Sequence, residues 1–160
     1  MHMTTIYDRL KSDHDRQRDL LARLAETSGD SDMRRELWTT FYYDIGAHAA
    51  AEEEAFYAPL MENSKGQPKA RHSVSEHHEV DEMIQDIEGM DFSSPGWLAR
   101  FKTMRDRYEH HIDEEENEIF ETARKVLGAD SSGEIAATFD TRKKKERSLV
   151  DAKAEAELEE

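Results

Sequence analysis

Residues 48–57 read HAAAEEEAFY, and residues 111–120 read HIDEEENEIF. Each stretch begins with a histidine and has a glutamate four positions later: Glu52 follows His48, and Glu115 follows His111. An α-helix completes a turn in about 3.6 residues, so each glutamate lies one turn beyond its histidine on the same side of the helix. Both stretches therefore predict a helix that presents an imidazole and a carboxylate on one face.

The apolar residues before the two stretches indicate that this face is buried. Each histidine comes three and seven residues after two large apolar side chains, which are Phe41 and Ile45 in one stretch and Met104 and Tyr108 in the other. Spacings of three, four and seven keep side chains on one face of a helix. We therefore expect the imidazole and the carboxylate of each stretch to point into the core.

Two further segments carry a histidine in the same kind of apolar stripe. His14 lies four residues after Leu10, and His77 lies three residues before Val80. The four segments are separated by three short polar breaks that contain glycine or proline, at residues 27–32, 63–68 and 91–96. Breaks of this composition and length are typical of loops between helices.

These patterns predict an all-α fold. We expect an up-down-up-down antiparallel four-helix bundle over residues 1–128, because four long amphipathic helices with short connections pack in this way. A fourth break at residues 128–133 precedes a charged segment. We expect residues 129–160 to form a C-terminal helix or tail that packs peripherally or is partly disordered, with Phe139 as its docking point. No function is predicted for it.

Composition excludes several classes of function. The chain has 160 residues and a formal net charge of −15, which opposes binding to nucleic acid or to an anionic membrane surface. It has no cysteine, which rules out disulfides, thiolate metal sites and thiol catalysis. The N-terminus lacks the apolar run of a signal peptide. We therefore expect a cytoplasmic protein without nucleic-acid or membrane partners, and the sequence identifies no protein partner.

Six side chains, contributed by all four predicted helices, are candidate metal ligands: His14, His48, Glu52, His77, His111 and Glu115. His14 and His48 are 34 residues apart, as are His77 and His111, which suggests two related helical hairpins. Buried carboxylates need a compensating positive charge, and no lysine or arginine falls in the same stripe at that level. Imidazole and carboxylate ligands suit iron, manganese or zinc. Because a single zinc ion needs only three or four ligands, we predict two metal ions bridged by the two glutamates.

Other polar residues have weaker claims on the metal. The second choices are Glu53 and Glu116 as bridges and His72 and Asp81 as additional ligands. His78 and His110 stand next to preferred histidines but are rotated by about 100° around the helix, so we expect them to be exposed or to support the ligands from outside. His2 is terminal and carries no prediction.

The pattern of one histidine, His-x-x-x-Glu, one histidine and His-x-x-x-Glu over residues 5–127 resembles the hemerythrin-like HHE cation-binding family. The resemblance implies an oxo- or hydroxo-bridged pair of iron ions, with manganese or zinc as substitutes, that binds dioxygen or a related small ligand. In the oxygen-carrying members a second histidine precedes the third-helix histidine by four positions, where this chain has Ser73. Their last carboxylate is an aspartate five residues after its histidine, whereas Glu115 is four after His111. We therefore expect sensing, iron handling or a role in oxidative or nitrosative stress rather than simple oxygen carriage.

Three alternatives compete with this prediction, and the sequence argues strongly against the first of them. A ferritin-like site needs Glu-x-x-His, and none of the seven histidines between residues 14 and 111 has a carboxylate three positions before it. A peroxide-decomposing di-iron enzyme could use the same scaffold, with Tyr108 donating a hydrogen bond to a bound oxygen species, although a core aromatic with a satisfied hydroxyl is favoured for this residue. The third alternative is a helical interaction module without metal.

Overall fold

The computed structural model of the chain describes residues 5–128 and 132–158, and within these ranges every regular element is a helix. The α-helices are α1 (Ile6–Ala25), α2 (Asp32–Glu52), α3 (Ala58–Met61), α4 (Gln67–Glu88), α5 (Trp97–Glu114), α6 (Phe120–Leu127) and α7 (Ser132–Leu158). Two five-residue π-helical segments, π1 (Glu53–Tyr57) and π2 (Glu115–Ile119), continue α2 into α3 and α5 into α6. The three breaks predicted between residues 27 and 96 all fall between helices.

Local sequence explains where the helices begin. The Thr5 side chain accepts from the Asp8 amide while the Asp8 carboxylate accepts from the Thr5 amide, which forms a capping box at the start of α1. The Ser31 hydroxyl accepts from the Arg34 amide at the start of α2. In α4, proline lies in the first turn, where its missing N–H is not needed.

The apolar core is divided into two clusters that lie on either side of a polar layer. One cluster includes Leu21, Phe41 and Phe101, and the other includes Leu10 and Phe56. The predicted ligands lie on α1, α2, α4 and α5 with its continuation π2. Along each of these helices, with α2 continued by π1, a residue of one cluster precedes the ligands and a residue of the other cluster follows them. The predicted ligands thus occupy a buried level across the middle of the helix bundle.

The C-terminal helix α7 packs against α1, α2 and π1. Phe139 is fully buried in the second core cluster, which confirms it as the docking point of this segment. Ion pairs flank it, with Arg142 2.9 Å from Glu54 and Arg9 2.9 Å from Asp140. The division of the chain at residue 128 stays a prediction.

In the described part of the chain, no helix combines the length and the apolar character that crossing a membrane requires.

Candidate metal centre

The structure brings all six predicted ligands together at one level. His14 comes from α1, His48 and Glu52 from α2, His77 from α4, His111 from the end of α5 and Glu115 from the start of π2. Five of them are at most 2% exposed, and the side chain of His77 is 10% exposed. The ligand atoms fall into two groups, each with all members within 4.8 Å of one another: Glu52, His77, His111 and Glu115 in one, and His14, His48 and Glu52 in the other.

Each glutamate lies between two histidines from different hairpins. An oxygen of Glu52 is 3.5 Å from His48 Nε2, and the other is 3.0 Å from His77 Nε2. Glu115 has the equivalent arrangement, with one oxygen 3.4 Å from His111 Nε2 and the other 3.3 Å from His14 Nε2. A carboxylate placed in this way can bridge two metal ions, one at each oxygen.

Several of these atoms are buried without a hydrogen-bond partner. Both oxygens of Glu52, Oε1 of Glu115 and Nε2 of His14 are in this state, although each lies close to the atoms described above. Leaving a buried polar atom unpaired costs about 1–3 kcal/mol, and more for a charged group. Coordination to a cation would satisfy all four atoms, so the residues present fit a pair of divalent metal ions.

A second set of carboxylates orients the histidines from outside. Each imidazole turns Nε2 inward and holds a carboxylate oxygen with Nδ1, in the pairs His14–Glu116 at 2.8 Å, His48–Asp13 at 2.8 Å, His77–Glu53 at 3.4 Å and His111–Glu76 at 3.0 Å. A carboxylate at Nδ1 fixes the tautomer that leaves Nε2 free for a metal. It also makes Nε2 more basic, so that the imidazole donates its electron pair to a metal more strongly.

This outer set corrects part of the prediction from sequence. Glu53 and Glu116, the second choices for bridging, accept from Nδ1 instead of lying at the centre. Asp81 is exposed and contacts Gln85. His78 and His110 are exposed, and His2 lies outside the described residues. His72 is outside the central groups, although it lies near other ligand-type residues on the surface.

Asp13 and Glu76 are functional residues that the analysis of the sequence missed. Each directly precedes a predicted ligand, and each pairs with the histidine 35 positions later. The signal that could have found them is the internal repeat: Asp13-His14 matches Glu76-His77, and Glu52-Glu53 matches Glu115-Glu116 at the same offset. The outer set therefore follows the same two-hairpin symmetry as the ligands.

The two π-helical segments begin at or directly after the two central glutamates, Glu52 and Glu115. The Ala58 amide donates to the carbonyl of Glu53, and the Phe120 amide donates to the carbonyl of Glu115, five residues back in each case. A π-turn inserts one extra residue into an α-helix and is frequent at functional sites. Here the extra residue changes the helical phase after each glutamate. The histidine and glutamate before the π-turn therefore point to the centre of the site, and apolar residues after it, such as Phe56 and Phe120, point into the core.

The two tyrosines near the centre have different partners. The Tyr57 hydroxyl donates to Glu115, a contact that satisfies the carboxylate oxygen directed away from His14. The Tyr108 hydroxyl donates to the side-chain oxygen of Gln17. Tyr108 is therefore a core aromatic with a satisfied hydroxyl, as the sequence favoured, and it does not direct its hydroxyl at the ligands.

The carboxylates hold protons on the histidines when no metal is present. Burial by itself would lower the pKa of His48, but Glu52 and Asp13 outweigh it and raise that pKa to about 9. In the same way, Glu52 and Glu53 overcome burial and raise the pKa of His77 to about 10. Burial would raise the pKa of Glu115, yet His111 and His14 hold it well below its usual value. Metal binding must therefore displace protons from these imidazoles.

We predict that the metal-free protein loses stability as the pH rises from 7 to 10. A histidine whose pKa is raised by folding contributes stability that is present below its unfolded pKa, about 6.5, and is lost as the pH passes its folded pKa. For His48 and His77 the loss begins near pH 6.5 and is complete near pH 9 and pH 10, respectively. Thermal unfolding of the chelator-treated protein should show a falling Tm over this range, and a His48→Gln variant should show a weaker fall. A Tm that stays constant would contradict the protonation state described here.

Comparison with known proteins agrees with the geometry. The profile of the hemerythrin HHE cation binding domain matches residues 5–123. The chain belongs to this family. Members of the hemerythrin HHE family are cation-binding domains, and the clustered histidines and glutamates at the middle of the helices could hold such a cation.

Individual relatives are distant in sequence. The chain is similar to a DNA nickase of Nostoc sp., with 27% identity over 140 residues that cover 88% of this chain and 39% of the nickase. It therefore spans well under half the length of that relative. It is also similar to the hemerythrin-like protein C869.06c of Schizosaccharomyces pombe, with 25% identity over 89% of this chain and 70% of that protein.

A solved structure shows the same fold. The crystal structure of a hemerythrin HHE cation binding domain-containing protein, an Rv2633c homologue from Mycobacterium kansasii, matches with a TM-score of 0.85. The match covers 94% of this chain and 92% of the other at 20% identity. The described part of the chain thus has a hemerythrin-like fold.

Proposed function

We propose that this protein holds a pair of iron ions and binds dioxygen or a related small ligand there, in sensing, iron handling or the response to oxidative or nitrosative stress. In this proposal α1, α2, α4 and α5, together with the segments that continue α2 and α5, form an up-down-up-down four-helix bundle, and the charged C-terminal helix α7 packs against it. The observation that carries it is the placement of two buried glutamates, each between two inward-facing imidazoles, with three of their four carboxylate oxygens lacking a hydrogen-bond partner.

The residues divide naturally between two ions. His77 and His111, with Nε2 atoms 3.0 Å apart, would hold one iron, and His14 and His48 the other. Glu52 and Glu115 would bridge them. Two histidines and two shared carboxylates leave coordination positions free, and an iron pair with free positions supplies redox chemistry and a binding position for a small ligand. Manganese or zinc could take the same ligands.

A mostly apolar cavity beside the site supports a small, uncharged ligand. A cavity of about 240 Å³ lies against α2 and α4 and reaches His48, His77 and Tyr108. Most of its wall is apolar, with contributions from Ile45, Val80 and other aliphatic and aromatic side chains. A mostly apolar wall favours small apolar molecules such as dioxygen or nitric oxide over charged substrates, since a charged molecule would lose much of its hydration there.

The experiment that tests the proposal is ligand binding by the reduced, iron-loaded protein. We expect nitric oxide, and dioxygen in a separate experiment, to change the visible spectrum with saturable binding. An iron-loaded protein whose spectrum responds to neither gas would contradict the proposal. Peroxide decomposition that disappears in a His111→Ala variant would instead assign the protein to the enzymatic alternative.

The cavity provides a sharper version of the same test. A side chain at Gly46, which lines the cavity, would meet no other atom within 4 Å at its Cβ position. We predict that Gly46→Leu leaves the iron content unchanged but slows nitric oxide binding several-fold in a stopped-flow experiment. Gly46→Ala, which adds little volume, is the matched control and should bind at the original rate. Equal rates in all three proteins would show that the ligand enters elsewhere.

The activity named for the Nostoc relative is not extended to this chain. That relative is more than twice as long as the matched region, and the net charge of −15 opposes close approach of a nucleic-acid backbone.

A further inference from the structure

Two more His-x-x-x-Glu pairs, outside the central pair, lie on the surface between α4 and α5. They are His72 with Glu76 on α4 and His110 with Glu114 on α5. We propose that His72, Glu76 and Glu114, with His110 beside Glu114, form a third cation site, which takes a divalent ion of the zinc type and is linked to the central metal pair through Glu76.

The distances support a shared ion. His72 Nε2 is 3.0 Å from an oxygen of Glu114 and 3.5 Å from an oxygen of Glu76, and ligand atoms of these three residues all lie within 4.8 Å of one another. His110 Nε2 is 3.3 Å from the other oxygen of Glu114. One imidazole and two carboxylates converge, which is a three-ligand set that zinc accepts with a further position left open.

Comparison of the first hairpin, α1 and α2, with the second, α4 and α5, shows that Glu76 lacks the lysine partner that its equivalent Asp13 has. In the first hairpin, Asp13 holds His48 and is itself neutralised by Lys143 of α7, whose Nζ is 2.6 Å away. Glu76 is the equivalent of Asp13 in the second hairpin and holds His111. Among the described residues, no lysine or arginine lies within ion-pair distance of Glu76 or Glu114. A cation held by His72 and its neighbours would take the place that Lys143 takes on the other side.

The surroundings of the two places differ accordingly. The first hairpin is covered by α7, and the residues matching His110 and Glu114 in the repeat are Ala47 and Ala51, both buried. On the second hairpin the side chains of His72 and His110 are 55% and 67% exposed. The ligand side chains are therefore accessible to an ion from solvent without any opening of the bundle.

Glu76 links this site to the central pair because it has two roles. One of its oxygens accepts from His111 Nδ1 and also lies 3.5 Å from His72 Nε2. A cation that draws charge from Glu76 weakens its interaction with His111 and makes that imidazole a poorer donor to a central metal. This link rests on the proposed function, whereas the third site itself does not.

The test is equilibrium dialysis of the iron-loaded protein against Zn²⁺, with zinc and iron counted separately. We expect one zinc per chain in addition to the iron, and loss of that zinc in His72→Ala and in Glu114→Gln with the iron retained. His78→Ala, an exposed histidine on the same helix, is the control and should keep the zinc. No additional zinc in the unchanged protein, or undiminished zinc in His72→Ala, would overturn the site.

Two further results distinguish a failure of this third site from a failure of the central metal pair. If the protein takes up no iron, the proposed function fails, but zinc bound by the metal-free chain should still fall by one ion in His72→Ala. If zinc binds and iron is retained, a shift of the iron absorption bands that is absent in Glu114→Gln supports the link through Glu76. Bands that do not move when zinc binds would disprove this link.

Discussion

A His77→Ala variant is expected to retain at most one metal ion per chain, against two for the unchanged protein. The Nε2 atom of His77 lies 3.0 Å from Glu52 and 3.0 Å from Nε2 of His111, so its loss removes one of two imidazoles from one ion position. Glu52→Ala should lower the metal content further, because Glu52 belongs to both groups of ligand atoms. Metal content after gel filtration, measured by inductively coupled plasma spectrometry, checks both expectations.

The neighbouring histidine provides the matched control. His78 is exposed, and we expect His78→Ala to keep two ions per chain. Circular dichroism should show the same helix content in all variants. If His78→Ala loses metal while His77→Ala keeps it, the orientation of α4 described here is wrong.

Removal of the metal should lower the thermal stability of the protein strongly. A ligand that binds only the folded state at about a thousand times its Kd stabilises by roughly 4 kcal/mol, and for a chain of this size each kcal/mol shifts Tm by about 2–4 °C. We therefore expect Tm to fall by about 8–16 °C when a strong chelator is added at pH 7. The loss has a clear origin in the structure, because it leaves Glu52 buried without a partner.

The chelator experiment has an internal control. His77→Ala, whose metal content is already reduced, should show a much smaller fall in Tm on addition of chelator than the unchanged protein. Adding ferrous iron in excess should restore the original Tm of the unchanged protein. An identical Tm with and without chelator would mean that these residues hold no tightly bound metal.

The helical period in the sequence was sufficient to place the six central residues. His14, His48 and His111 each continue a stripe of apolar residues, and a buried stripe leaves little freedom in where its members point. The loops were equally clear, because glycine and proline end helices for local reasons. For these features the local sequence and the tertiary structure specify the same outcome.

The outer carboxylates were harder to predict because their role depends on contacts between helices. The chain contains 37 acidic residues, and nothing local distinguishes Asp13 or Glu76 from the glutamates and aspartates on the surface. Their partners, His48 and His111, are on other helices, 35 positions away. Only the packing of α1 against α2 and of α4 against α5 brings each pair together.

The π-helical segments and the position of α7 also depend on tertiary structure. EEAFY and EENEI have no local signature of a π-turn, and the extra residue is accommodated because the ligands before it and the core residues after it are both fixed by packing. Lys143 belongs to a run of three lysines that reads as solvated surface. Its contact with Asp13 exists because Phe139, one turn earlier, docks α7 beside His48.

Metal analysis of the purified, iron-reconstituted protein tests the central claim most directly. We predict two iron ions per chain, together with an absorption band from bridging oxygen to iron. A protein that folds to its full helix content but takes up no iron, and no other divalent ion in its place, would contradict the assignment of His14, His48, Glu52, His77, His111 and Glu115 as a metal centre.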